Sequence, residues 1–187
     1  MKTNRIAALC LLTFATWTTA QAKLNVVATT PDLGAIAQEI GGDKIEVVTL
    51  AKATEDPHFV DAKPSFIVKL NAADGLIEGG AELEAGWLGP LLDGARNTKI
   101  AAGKPGRVNA SEGIALLEIP SALDRSKGDV HAAGNPHFLT DPLNGRVVAA
   151  RLAEAHGWPA RRRCARSASS LCAPTFQCWP RPRGVAG

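Results

Sequence analysis

The spacing of apolar residues near the start of the chain predicts a strand, a helix and a second strand. Residues 24–29 and residues 45–50 are β-rich apolar runs of strand length. Between them, apolar side chains recur at the spacing of one helical face, which holds Leu33, Ile36, Ala37 and Ile40. Thr30 and Pro31 fit the N-cap and first position of that helix, and Gly41-Gly42 fits its end. A strand–helix–strand unit of this kind predicts parallel pairing.

The same rhythm continues along the chain. We expect a helix over residues 64–73, a short buried strand over 75–78, a helix near 87–92 and a fourth strand over 99–102. Residues 103–130 are rich in Gly, Pro and Ser and predict little regular structure. Residues 143–155 predict a helix with Asp141 as its cap and Pro142 at its first position. The predicted fold class is α/β, with a parallel sheet of about four strands flanked by helices.

Composition is that of a globular protein, and the charge is unevenly distributed. Of 187 residues, 45% are hydrophobic and 21% are charged, and the formal net charge is +3. Residues 23–156 hold all the acidic residues and are net acidic, whereas residues 157–187 hold six arginines and no acid. The central part is therefore expected to bind no nucleic acid, in spite of the basic total.

The first 22 residues have the pattern of an export signal. Lys2 and Arg5 precede an apolar stretch over residues 6–17, and Ala20-Gln21-Ala22 fits a cleavage site. We therefore expect a signal peptide over residues 1–22 and a periplasmic location. Residues 23–156 contain no cysteine, so a domain there depends on its hydrophobic core rather than on disulfides.

Two loops carry the candidate chemistry, because in each a histidine directly follows a proline. His58 lies in Glu55–Phe59, just beyond the second predicted strand, and His137 lies in Gly134–Pro142, just before a helix. Proline stiffens both loops, and ligands of open parallel sheets bind beyond the carboxyl ends of the strands. Two converging imidazoles suit Zn²⁺ or Mn²⁺, which makes His58 and His137 the candidate metal ligands.

Other polar residues near these loops are weaker candidates. His131, six residues before His137, is a less favoured metal ligand, and His156 is less favoured too. The carboxylates of Glu55, Asp56 and Asp141 either orient imidazoles or serve in turns and caps, with capping the favoured role of Asp141.

A metal-dependent hydrolase is the enzymatic alternative for such histidines. It needs three protein ligands, an open water position and a general base, and only His131 is near enough in sequence to be a third ligand. The chain has no His-Glu-x-x-His helix, no Gly-x-Ser-x-Gly elbow and no phosphate-binding Gly-x-x-x-x-Gly-Lys-Ser/Thr loop. We expect that the protein is not an enzyme.

The ordered set of motifs resembles the zinc/manganese-binding solute-binding proteins of bacterial ABC importers. The resemblance covers about residues 23–155, and its motifs are Leu24–Leu33, Glu55–Phe59, Leu76–Gly80, Gly128–His131 and Gly134–Phe138. It implies two α/β lobes joined by a long helix, with one metal ion between them. It also implies that His58 and His137 are the ligands from the first lobe, and that the second lobe supplies the others.

The resemblance also implies a function and a division of the chain. Residues 23–142 correspond to the metal-binding lobe and 143–156 to the start of the linking helix. The implied function is extracytoplasmic capture of a divalent metal by a monomer, for delivery to an ABC permease. Zn²⁺, Mn²⁺ and Fe²⁺ all stay open, because no His-rich loop follows the first ligand. A surface adhesin, a role described for some relatives, is a further alternative.

Residues 157–187 depart from that pattern. They contain six arginines, four prolines and three cysteines and show no helical period. We interpret them as an aberrant, disordered tail, produced by a shift of the reading frame near His156 that removes the second lobe. A nucleic-acid-binding tail is disfavoured because exported proteins rarely meet nucleic acid. Loss of the second-lobe ligands predicts weak metal binding.

Overall fold

The computed structural model describes residues 22–120 and 131–156. The predicted signal peptide, apart from its last residue, and the predicted tail over 157–187 lie outside the described residues. Among the described residues, no helix has the length and apolar character needed to cross a membrane.

The described chain alternates strands and helices as the sequence predicts. Three short 3₁₀ turns, at Gly42–Lys44, Thr98–Ile100 and Phe138–Thr140, join the main elements. The strands are β1 (Leu24–Ala28), β2 (Ile45–Thr49), β3 (Gly75–Glu78) and β4 (Arg107–Asn109). The helices are α1 (Pro31–Gly41), α2 (Pro64–Asn71), α3 (Leu88–Ala95) and α4 (Pro142–Ala155).

All four strands form one parallel sheet in the order β2-β1-β3-β4. In the register, Val27 pairs with Val48 on one side and with Leu76 on the other, and Ile77 pairs with Val108. The parallel arrangement places the carboxyl ends of the strands along one edge, from which the loops after β1, β2 and β3 leave. The α/β prediction with a parallel sheet of about four strands is confirmed.

Alternating strand residues contribute side chains to two hydrophobic clusters, one on each face of the sheet. Val26, Ala28 and Ile77 point to one face, where α1 and α4 contribute Leu33, Ala37, Val148 and Leu152. Val27 and Leu76 point to the other, where α2 and α3 contribute Phe66, Leu70, Leu88 and Leu91. Burial on both faces explains why residues 26–28 of β1 and 75–77 of β3 are runs without polar side chains instead of strict alternations.

The helix ends follow the predictions with one correction. Gly42, at φ 58°, ends α1, and the Asp141 carboxylate caps α4 by accepting a 2.8 Å hydrogen bond from the Leu143 N–H. Thr30 occupies the N-cap position of α1, but its side chain makes no capping hydrogen bond. Its hydroxyl is bonded to the Asp32 carboxylate, which itself accepts from the Leu33 N–H at 2.9 Å.

The predicted position of the fourth strand is wrong. Residues 98–100 form a 3₁₀ turn, and the strand lies instead at Arg107–Asn109. The Asn97 side chain accepts a hydrogen bond from the Lys99 N–H, which favours a turn, while Ile100 is buried against the α2–α3 side of the sheet. The buried side chain of Ile100 therefore led to the prediction of a strand where the chain forms a turn.

Asp74, just before β3, links β1 to the 3₁₀ turn at Thr98–Ile100 and gives the fold a testable pH dependence. It accepts a hydrogen bond from Lys99 Nζ at 2.7 Å and from the Asn25 N–H at 3.0 Å. These two donors lower the pKa of the Asp74 carboxyl from its ordinary value of 3.8. The ionised group therefore stabilises the fold above pH 3.8, and this contribution is lost as the pH falls through the lowered pKa.

We expect Asp74→Asn to lower the free energy of unfolding by about 1 kcal/mol at pH 7. The difference from the parent chain should shrink as the pH falls below 3.8. Urea unfolding of both chains at pH 7 and at pH 3 measures it. An equal difference at the two pH values would show that the ionised carboxylate contributes nothing specific.

Candidate metal centre

Each candidate histidine is held by the residue that precedes its proline. The Asp56 carboxylate accepts a hydrogen bond from the His58 N–H at 2.9 Å, and the Asn135 side-chain oxygen accepts one from the His137 N–H, also at 2.9 Å. The two loops therefore close the same local turn over an intervening proline. These hydrogen bonds constrain the backbone of both histidines without any ligand.

Asp56 also orients the ring of His58. Its Oδ1 atom lies 2.8 Å from His58 Nδ1, so a carboxylate acceptor holds the proton on that nitrogen. The remaining nitrogen, Nε2, is then the one with a lone pair for a metal. The sequence offered two roles for Asp56, turn residue and imidazole-orienting carboxylate, and in the structure one side chain makes both contacts.

The structure brings three imidazoles together. The ring centroids of His58 and His137 are 5.2 Å apart in an edge-on arrangement, and those of His58 and His131 are 5.0 Å apart in a stacked one. His58 Nε2 lies 3.1 Å from His131 Nε2. The His58 side chain is only 13% exposed, whereas His137 is an exposed residue. His58 is therefore the central member of the group.

His58 Nε2 and His131 Nε2 are within hydrogen-bond distance of each other, and the same spacing is close to that of two ligands of one small cation. Zn²⁺ binds imidazole nitrogen at about 2.0–2.1 Å, which places two tetrahedral nitrogen ligands about 3.3 Å apart. The 3.1 Å separation between His58 and His131 is close to that value. Within residues 22–120 and 131–156, however, no three His, Cys, Asp or Glu side chains are arranged so that they could hold one metal ion. The described residues therefore do not form a metal site of three ligands by themselves.

The carboxylates around the group carry distinct contacts. Hydrogen bonds from the backbone N–H and ring of His58 lower the pKa of Asp56, and the Lys52 N–H lowers the pKa of Glu55. Both are therefore ionised at neutral pH. Asp141 is occupied as the α4 cap, as favoured from the sequence, and Glu55 pairs with Lys52 at 3.3 Å.

An open crevice adjoins the histidines at the carboxyl edge of the sheet. Its lining includes Thr30 at the start of α1, Pro57, Gly79 at the end of β3, and His137. His156 lies elsewhere, at the end of α4, where a side chain on Gly75 would come within 2.9 Å of its ring. Gly75 begins β3, so His156 belongs to the opposite edge of the sheet and is not part of this group.

Sequence reasoning assigned no role to a buried carboxylate near the crevice. Glu84, 4% exposed, accepts hydrogen bonds from the Thr29 hydroxyl at 2.6 Å and from the N–H groups of Gly79 and Gly80 at 2.7 and 3.1 Å. Burial raises the pKa of Glu84, and these three donors oppose that effect. Because its partners lie on two different strand ends, no local pattern in the sequence reveals the role.

Comparison with known proteins gives a consistent result. The family model described as ZnuA, zinc-uptake complex component A periplasmic, matches residues 26–157. The chain is 30% identical over 140 residues to the manganese ABC transporter substrate-binding lipoprotein PsaA of Streptococcus pneumoniae, covering 73% of this chain and 42% of that protein. It is 31% identical over 113 residues to the iron ABC transporter substrate-binding lipoprotein MtsA of Streptococcus pyogenes, covering 59% and 35%.

The solved structures share the fold. A crystal structure of a zinc-bound ZnuA deletion mutant superposes with a TM-score of 0.60 at 24% identity, covering 80% of this chain and 52% of that one. The chain thus spans about two-fifths of the length of the curated relatives it matches. These proteins are transport components and not a class of enzyme, which gives no support to the hydrolase alternative. Since the family model covers more than half of its residues, the chain belongs to the ZnuA family of periplasmic zinc-uptake components.

Proposed function

We propose that this protein binds a divalent transition metal outside the cytoplasm and presents it to the permease of an ABC importer. The observation that carries the proposal is the convergence of His58 and His137, 5.2 Å apart between ring centroids, at the carboxyl edge of the sheet. Relatives named for manganese and iron, and a zinc-bound structure of the same fold, support it. Export, a periplasmic location and a monomeric state belong to the same proposal.

In this proposal, His58 and His137 are the metal ligands. Asp56 holds the proton on His58 Nδ1 and leaves Nε2 for the metal. His131, whose Nε2 lies 3.1 Å from His58 Nε2, stays the less favoured ligand. Imidazole donors favour Zn²⁺ over Mn²⁺ in intrinsic affinity, and they disfavour Mg²⁺ and Ca²⁺.

The affinity of this chain for metal is expected to be modest. Protein zinc sites have three or four protein ligands, and in this proposal the described residues supply two, His58 and His137. The expected dissociation constant for Zn²⁺ is therefore micromolar or weaker.

Calorimetric titration of the chain with Zn²⁺ tests the proposal. The four cysteines, Cys10, Cys164, Cys172 and Cys178, should first be replaced with serine, because thiolates bind Zn²⁺ independently of the histidines. We expect one Zn²⁺ per chain, weaker binding of Mn²⁺ and none of Mg²⁺. Equal binding of Mg²⁺, or no stoichiometric binding of Zn²⁺, would contradict the proposed function, and a submicromolar constant would contradict the expected weakness.

A further inference from the structure

The segment Gly79–Trp87, which we call the clamp segment, contacts the His58 loop and the residues that lead from His131 into the His137 loop. The indole N–H of Trp87 donates a 2.9 Å hydrogen bond to the carbonyl of Pro57, the residue before His58. The Glu82 carboxylate accepts a 2.6 Å hydrogen bond from the N–H of Ala132, the residue after His131. Two loops separated by more than 70 residues are thus tied to one segment of nine residues.

The same segment is fixed to the sheet by Glu84. That buried carboxylate accepts hydrogen bonds from Thr29 at the end of β1 and from the two N–H groups that follow β3. Of these three bonds, the one from the Thr29 hydroxyl ties the segment to the end of β1, and the two from Gly79 and Gly80 close the segment on itself where it leaves β3. Glu82 and Trp87 therefore belong to a segment that is anchored at the carboxyl ends of β1 and β3.

The backbone of the segment is held in an unfavourable conformation. Gly80, Ala81 and Glu82 have φ values of 76°, 51° and 66°, the left-handed region that side chains other than glycine rarely adopt. Glu82 is exposed, so burial of its side chain does not account for this conformation. Its bond to Ala132 is a contact that the conformation makes available.

We propose that the clamp segment positions the two histidine loops relative to each other, and that Glu82 is the positioning residue for the loop that carries His131 and His137. The inference rests on the proposed function, because its consequence is that metal affinity depends on Glu82, a carboxylate that accepts its hydrogen bond from the backbone N–H of Ala132. The position of His58 is set by Asp56 and by Trp87. The facing loop is set by the bond from Ala132 to Glu82.

Three substitutions at one position separate this role from a structural one. Glu82→Ala and Glu82→Gly both remove the acceptor, whereas Glu82→Gln keeps an acceptor oxygen and removes the charge. Glycine also suits a φ of 66° better than any other residue, so Glu82→Gly should fold at least as well as the parent. Glu39→Ala, at an exposed glutamate on α1, is the matched control for loss of one surface charge.

We expect the affinity for Zn²⁺, measured by calorimetry in the cysteine-replaced chain, to fall about tenfold in Glu82→Ala and Glu82→Gly. It should stay within about twofold of the parent in Glu82→Gln and Glu39→Ala. Parental affinity in Glu82→Gly would overturn the inference. Equal losses in Glu82→Gln and Glu82→Ala would overturn it too, because the charge and not the bond would then be responsible.

A second measurement needs no metal and keeps the inference distinct from the proposed function. Amide hydrogen exchange of Ala132 in the metal-free chain should be about tenfold faster in Glu82→Ala and Glu82→Gly than in the parent or in Glu82→Gln. If the parent fails to bind Zn²⁺, the proposed function fails. The Ala132 exchange rate then tests by itself whether Glu82 holds the loop that follows His131. Equal Ala132 exchange in all four chains would overturn the inference.

Discussion

Replacing His58 with alanine is expected to lower the affinity for Zn²⁺ by at least about a hundredfold. Changes in residues that only orient a metal ligand cost 10–100-fold, and His58 is proposed as a ligand itself. Its ring is also the shared neighbour of the other two, at 5.0 Å from His131 and 5.2 Å from His137 between centroids. Calorimetric titration of the cysteine-replaced chain measures the effect.

The matched control for this substitution is His156→Ala. His156 is a half-buried imidazole at the opposite edge of the sheet, and burial lowers its pKa, so it is a neutral imidazole at pH 7 outside the proposed site. We expect its loss to leave the affinity unchanged. His137→Ala should resemble His58→Ala, and His131→Ala should have a smaller effect. Parental affinity in His58→Ala would remove the basis of the proposed site.

The second large effect is expected in the core. Leu76 is fully buried in β3, one of the two inner strands, and lies in the cluster with Leu70, Trp87, Leu91 and Ile100. Its replacement by alanine leaves a cavity in a close-packed region, and such changes cost about 2–5 kcal/mol. Because the free energy of unfolding of small domains is about 5–15 kcal/mol, we expect a large shift of the urea midpoint.

Leu117→Ala is the matched control, since Leu117 is a leucine of the same volume that is 75% exposed. Its free energy of unfolding should stay within about 0.5 kcal/mol of the parent. Similar costs at the two positions would mean that Leu76 is not packed as the structure shows. Urea unfolding followed by circular dichroism measures both variants under one set of conditions.

The parts of the fold that the sequence predicted are those determined by local residues. The face of α1, its Gly42 end, the Asp141 cap of α4 and the short strand β3 each follow from neighbouring positions, and each is confirmed. The fourth strand was misplaced because Ile100 is buried by packing from elsewhere in the chain, and not by a strand of its own. β4 itself has only three residues and no apolar run, so local periodicity could not reveal it.

In the candidate site, too, some features follow from local sequence and others only from the tertiary fold. Proline before each histidine pointed to the two stiff loops, and the structure places the rings of those histidines together. Their role as ligands stays a prediction, as does the division into a lobe and a linking helix. Glu82, Glu84 and Trp87 were not assigned roles because their partners, Ala132, Thr29 and Pro57, lie 30 to 55 residues away in sequence. Only the tertiary fold brings such pairs into contact.

The most direct measurement of the central claim is an NMR titration of the histidine side chains with Zn²⁺. In the cysteine-replaced chain at pH 7, the ring signals of His58 and His137 should shift or broaden together, reaching completion at one Zn²⁺ per chain. The ring signals of His156 serve as the internal reference and should not change. Unchanged His58 and His137 signals at saturating Zn²⁺, or a first response at His156, would contradict the metal-binding account.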